Sequence, residues 1–224
     1  TETELAEVGT MIRIVRQKAR FTEDYIFDPE KQDEYEANFL EYRRVCCMNC
    51  LWLAVDWQLN LTRIFALFYE IFNNFVGRNW TWQELFVVAK NATRLAPAVV
   101  KQIIESDLFQ ILNAYRTNGA SAIPFADLEI VLTLFYQLGE IFPKEAINPA
   151  LDNGAYFQKC LAEIITSGVS FYPHESVQLV YFELVGRYVN LLTAQTHLII
   201  PVLESFIDQR GMRNPKGTVH SRAT

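Results

Sequence analysis

The sequence predicts an all-α fold, an α-α superhelix of antiparallel helix pairs, on three observations. Apolar residues recur at steps of three and four, the spacing that aligns one face of a 3.6-residue helix. Prolines stand just before several of these runs and glycines just after them. Some runs, such as "IFALFYEIFNNF" and "VLTLFYQLGEIF", are apolar on more than one face, so each is covered from two sides. Nowhere does a strict apolar/polar alternation persist long enough to suggest a sheet.

The elements follow in chain order. A first helix is expected over 3–20. After it, "FTEDYIFDPEKQDEYE" at 21–36 carries Glu23, Asp24, Asp28, Glu30, Asp33, Glu34 and Glu36 against one lysine. It reads as an acidic solvated linker, with Asp33 and Glu34 favouring the positive N-terminus of the next helix. That helix, 33–57, aligns Phe39, Arg43, Cys46, Cys50, Leu53 and Trp57 on one face. Helices over 60–77 and 81–94 come next. The run 97–117 opens on Pro97 and stops before Gly119, because a first turn tolerates proline and a helix end favours glycine. The run 124–142 opens on Pro124 and aligns Phe125, Leu128, Leu132, Phe135, Gly139 and Phe142. The run 153–167 closes at Gly168. The run 173–193 opens on Pro173 and aligns Val177, Tyr181, Leu184, Tyr188 and Leu191. A last helix, 198–209, closes near Gly211, and a stub starts at 218.

Connections of roughly 2–12 residues make neighbouring helices antiparallel. Pairing 124–142 with 153–167, and 173–193 with 198–209, gives units of about 40–47 residues, the period of HEAT-type repeats. The expectation is one run of about four to five such repeats over 1–224, the last truncated at 224.

Composition limits the function. Half of the residues are hydrophobic and 13% are aromatic, enough for a sizeable core. A net charge of −6 and a pI near 5.2 argue against a protein that coats nucleic acid generally, yet leave room for a local basic patch. No stretch of about 18 uncharged apolar residues suggests a membrane span, so no membrane insertion is expected. The acidic start "TETELAEVGT" does not resemble a signal peptide. Cys46, Cys47, Cys50 and Cys160 are too few and too unevenly placed for a disulfide framework, which favours reduced thiols in a cytosolic or nuclear compartment. The sequons at Asn60, Asn79 and Asn91 read as chance matches.

Chemistry-bearing motifs are few. Cys47-Met-Asn-Cys50 lacks two further zinc ligands nearby and sits inside a helix, so its cysteines read as packing residues. His174, His197 and His220 have no Ser/Asp, HExxH or phosphate-loop partner motif. Neither a catalytic residue, nor a metal, nor a cofactor is expected, and the protein reads as no enzyme. Two basic clusters remain. Arg13, Arg16, Lys18 and Arg20 end the first helix, where cations suit the negative dipole. Arg210, Arg213, Lys216 and Arg222 have no acid among them after Asp208. The second cluster stands equally as a phosphate-binding patch, since uncompensated cations attract nucleic-acid backbones, and as a solvated turn.

Beyond these patterns, "EIITSGVSFYPHESVQLVYFELVGRYVNLLT" followed by "IPVLESFIDQRGMRNPKGTVHSRA" resembles the exportin-T family, the tRNA-exporting branch of the karyopherin-β receptors. "EDYIFDPEKQDEYEANFLEYRR" is similar to the family's tyrosine-and-acid linker before an F-x-E-Y-R helix, and "FADLEIVLTLFYQLGEIFP" is a third, looser match. The matches are collinear over most of 22–223, while 45–120 resembles the family in helical character alone. The resemblance implies an internal segment of a HEAT-repeat receptor shuttling between nucleus and cytoplasm. It implies tRNA, Ran-GTP and nuclear pore proteins as partners, with Ran held mainly by repeats outside this segment. Recognition of tRNA shape and backbone needs basic residues rather than a base-reading code, which makes the two clusters the candidates. The alternative is a protein-binding HEAT scaffold or an importin-like receptor for protein cargo.

Overall fold

The computed structural model describes residues 2–26, 34–51, 96–142, 145 and 147–223. Among the described residues there are eight α-helices, four short 3-10 turns and no strand. The helices are α1 (Glu2–Ala19), α2 (Glu34–Leu51), α3 (Ala96–Asn118), α4 (Phe125–Ile141), α5 (Asp152–Thr166), α6 (Glu175–Tyr188), α7 (Ile199–Ile207) and α8 (Gly217–Ala223). The expected helices at 60–77 and 81–94, the end of 33–57 and the three sequons lie outside the described residues.

The helices stack in two rows. α1 packs on α3 and α3 on α5, while α2 packs on α4, α4 on α6 and α6 on α8. Contacts of α1 with α2, and of α3 with α4, join the rows into an all-α solenoid. The pair α1/α2 seats directly against α3/α4, although residues 52–95 separate them in sequence.

Sequence spacing pairs 124–142 with 153–167, whereas α4 packs beside α3 and α5 bridges α4 and α6. Periodicity tells which faces of a helix are apolar, not which neighbour covers each one. The bridge is aromatic. Phe157 of α5 sits 5.3 Å from Phe135 of α4 and 5.3 Å from Tyr188 at the end of α6, and all three rings are buried. Such ring pairs add about 0.5–1.5 kcal/mol each beyond the burial of their area.

Glycines allow several close approaches. At Gly139, α4 runs so near the end of α6 that a Cβ would overlap the Tyr188 hydroxyl, which donates to the Tyr136 carbonyl at 3.2 Å. Gly119 and Gly168 follow α3 and α5 with φ of 78° and 77°, positive values that favour glycine, and Gly168 is the left-handed helix cap. Gly211 works differently. Its φ is not positive; the Met212 N–H bonds the Phe206 carbonyl at 2.7 Å, folding the turn so tightly that a Cβ would strike that carbonyl.

Cys46, Cys47 and Cys160 are buried thiols, and burial pushes Cys47 and Cys160 each up to about 12. They are packing residues in the core. Among the described residues no helix is long and apolar enough to cross a membrane.

Candidate nucleic-acid interface

Stacking antiparallel pairs places successive within-pair turns on one edge of the solenoid, and side-chain contacts trace that edge from α1 to α8. At the end of α1, the Arg20 guanidinium holds Asp127 in the first turn of α4 at 2.9 Å and Glu23 at 3.1 Å. Phe21 stacks on Tyr25 at 4.0 Å. The Tyr25 hydroxyl donates to Glu36 at 2.5 Å, and burial together with that carboxylate raises its pKa. The next link is His174, the N-cap of α6. Its Nδ1 accepts from the Ser176 N–H at 3.3 Å, which leaves the proton on Nε2 to donate to the Tyr25 carbonyl at 3.3 Å. Its ring lies flat on Phe125 at 3.5 Å. Burial depresses the His174 pKa by disfavouring the charged ring. From α6, Glu175 reaches Lys216 at 3.5 Å and Gln178 accepts from Asn214 at 3.4 Å.

The contacts carry this edge from Arg20 at one end to Lys216 at the other, with Arg210 and Arg213 in the turn before Lys216. Arg16 sits one turn deeper, bound to Asp107 of α3 at 2.8 Å. Arg13 is exposed and donates to Thr10 at 3.1 Å. Arg222 is set apart from the turn, near the end of α8, where it pairs with Glu183 of α6 at 3.0 Å. Burial raises the pKa of Glu183, and Arg222 opposes that rise.

Much of the sequence-level positive charge is compensated in three dimensions. Arg210 forks onto Asp208 at 2.7–3.1 Å, donates to the Ser170 hydroxyl at 3.0 Å and covers the Phe171 ring at 4.2 Å. With its side chain 13% exposed, it holds the turn together. Lys216 and Arg222, at 46% and 54%, point largely into solvent beside their carboxylates. Arg213 is exposed and has no carboxylate within ion-pair distance among the described residues.

Two groups escaped sequence reasoning. Arg43 stands in the apolar stripe of α2 because it is buried, not because the stripe is interrupted. Its guanidinium pairs with Glu129 of α4 at 2.5 Å, donates to the Ala19 carbonyl at 2.5 Å and lies 4.1 Å over Phe21. Glu129 also accepts from Thr133 at 2.9 Å. The available signal was Glu129, an acid inside the apolar run Leu128–Leu132, and a lone base inside the Phe39–Cys46 stripe. The second group is Phe171, an aromatic 64% exposed beside the basic turn. Among the described residues, no group of three or more His, Cys, Asp or Glu is placed to hold a metal ion.

Comparison with known proteins gives a consistent match. The exportin-T family profile matches residues 87–224. The chain is 28% identical over 232 residues to Exportin-T of Homo sapiens, an alignment covering 99% of this chain and 19% of that protein. Exportin-T of Danio rerio is 23% identical over 231 residues, covering 99% of this chain and 18% of the relative. Exportin-T of Arabidopsis thaliana is 30% identical over 145 residues, covering 63% and 14%. The chain thus spans about a fifth of the length of the animal relatives it matches.

Proposed function

The chain belongs to the exportin-T family, and on that premise we propose that it is an internal segment of a receptor carrying tRNA from nucleus to cytoplasm in a Ran-GTP-dependent complex. Its role in that cycle is to bind and release, with no catalytic step of its own. Ran-GTP and nuclear pore proteins engage mainly parts of the receptor outside this segment. The receptor shuttles between the two compartments. The four helix pairs α1/α2, α3/α4, α5/α6 and α7/α8 are taken as successive HEAT-type repeats, with 21–36 as the acidic linker inside the first.

One observation carries the reading: the end of α1 and the turn after α7 are linked along one edge of the solenoid, where Arg213 is exposed and Asp208, the carboxylate that feels its charge, is held by Arg210. A regular phosphate backbone is recognised by such spaced cations through counterion release. Arg213, Lys216 and Arg222 are the phosphate contacts best placed to reach solvent, joined by Arg13 and Lys18 on α1. Arg20 and Arg210 fix the turns of this surface through Asp127 and Asp208, and Arg16 ties α1 to α3 through Asp107 behind it.

The test is a filter-binding titration of full-length receptor, with Ran-GTP present, carrying Arg210, Arg213, Lys216 and Arg222 as alanines. Weaker tRNA binding with a shallower salt dependence is expected, by about 1 in log–log slope per lost contact. An unchanged affinity and slope would refute the assignment.

A further inference from the structure

We propose that the hollow along α6, flanked by α4 and α8, is a docking groove for an extended basic segment of a protein partner. The segment's backbone crosses α6 over Gly186 and bonds the Asn190 side chain, while its lysine or arginine reaches Glu183. The groove shares no lining residue with the turn 208–216, and its occupant is a partner other than tRNA.

The hollow holds about 600 Å³. Its floor is one face of α6, with Tyr136 of α4 and Arg222 of α8 beside it. Gly186 in that floor points to an occupant. It is exposed in the last turn of α6, where glycine weakens a helix relative to alanine. Its φ is not positive, and an added Cβ would meet nothing within 4 Å. Gly139 and Gly211 are required by close contacts within the chain, and Gly168 by its left-handed backbone; Gly186 has neither reason. A glycine so placed lets a backbone from outside the chain approach the helix closely.

The lining selects a polypeptide over RNA, because each cation in it is matched. Arg222 pairs with Glu183 at 3.0 Å, and Arg187 pairs with Glu140 while donating to the Gly139 carbonyl at 3.1 Å. Without uncompensated cations a phosphate backbone gains little inside the groove, and Arg222 offers phosphate only its solvent side, at the lip. Glu183 is half-buried, and burial raises its pKa despite the opposing pull of Arg222. A second cation would restore the charged carboxylate, which favours a basic side chain from the partner. Asn190 is exposed, and its carboxamide offers a donor and an acceptor to one peptide unit. Only an extended segment has that N–H and C=O to give, since a helix bonds them internally. Half-buried Ile147 adds an apolar contact for the neighbouring residue.

Random peptides displayed on phage are panned on full-length receptor, and those enriched are measured by fluorescence anisotropy against single variants. Peptides rich in lysine or arginine are expected, and Gly186→Leu, whose side chain fills the floor, should abolish their binding. Asn190→Ala is expected to weaken them by about 2- to 10-fold, the share of a neutral hydrogen bond. Glu183→Gln is expected to weaken them by about 10-fold or more, as for a hydrogen bond to a charged group. Gly186→Leu should bind tRNA with Ran-GTP as the parent does. It should also keep the parent's Tm, since its Cβ enters open space and leucine favours a helix, so lost peptide binding is not lost folding. Enriched peptides that lack basic residues, or that bind Gly186→Leu as well as the parent, would overturn the groove. A loss of tRNA binding in Gly186→Leu would overturn it too, by assigning the hollow to RNA.

Discussion

Replacing Arg43 by methionine tests the buried ion pair that ties the first helix pair to the second. The side chains of Arg43 and Glu129 are 8% and 5% exposed and 2.5 Å apart. Methionine keeps the stem of the side chain and deletes the charge, which strands the Glu129 carboxylate in the core. Removing one partner of a buried pair costs about 3–5 kcal/mol, because the survivor is left uncompensated. The Ala19 carbonyl also loses its donor, an orphan worth about 1–3 kcal/mol. These losses share one side chain and do not add fully, so about 4 kcal/mol is expected. For a chain of this size that is a fall of about 8–16 °C in Tm. The double variant R43M/E129L removes both charges and is expected to regain all but the Ala19 carbonyl's share, about 1–3 kcal/mol. Urea unfolding monitored by circular dichroism gives the four corners of the cycle, and native-state hydrogen exchange locates the loss in α2 and α4. If R43M lies within about 1 kcal/mol of the parent, or if R43M/E129L is as unstable as the two single losses summed, the ion pair does not tie the first helix pair to the second as argued.

Three further outcomes are expected. Gly139→Ala should cost about 1–3 kcal/mol in thermal melts, since its Cβ overlaps the buried Tyr188 ring, and adding Tyr188→Leu should recover part of that loss. His174 has its pKa lowered in the fold, so the unfolded chain binds the proton first. Its contribution is therefore complete above the unfolded value near 6.5 and is lost as pH falls through the lower folded one. Tm measured from pH 7 down to 5 should fall more steeply for the parent than for His174→Asn, which keeps an N-cap side chain without the titration; parallel curves would sink this account. The thiols of Cys47 and Cys160, pushed up to about 12 by burial, should resist maleimide at pH 8 until the chain is unfolded.

Helix ends were legible because their causes are local. Pro124 stands at the N-cap of α4, and Gly119 and Gly168 supply the positive φ that ends α3 and α5. The order of packing was less legible, because an apolar face such as that of α5 does not announce that it spans the seam between α4 and α6. The candidate surface was half legible. Clusters 13–20 and 210–222 are conspicuous as letters, and the stack then brings members of both onto one edge. Their neutralisation was hidden, since Arg16 meets an acid 91 positions away and Arg20 one in the first turn of α4. Sequence runs count charges, whereas a binding surface responds to charges that remain after distant carboxylates have been placed.

That distinction sharpens what the basic stretch at 210–222 is expected to do. The cationic ends of Lys216 and Arg222 are 46% and 54% exposed, so a phosphate can approach each from the solvent side without displacing Glu175 or Glu183. Arg213 makes no close ion pair among the described residues, and Asp208, which feels its charge, is held by Arg210. Arg210 is different, since releasing it would break a forked pair with Asp208, a hydrogen bond to Ser170 and the stack on Phe171 together. The four cations should therefore act as about three phosphate contacts and one structural clamp. Single alanine variants at Arg213, Lys216 and Arg222 are each expected to shallow the salt dependence of tRNA binding by about 1. Arg210→Ala should leave that slope unchanged and instead loosen the turn, seen as faster proteolysis between 208 and 216. A slope change at Arg210 equal to that at Arg213 would show that the clamp opens onto the RNA after all.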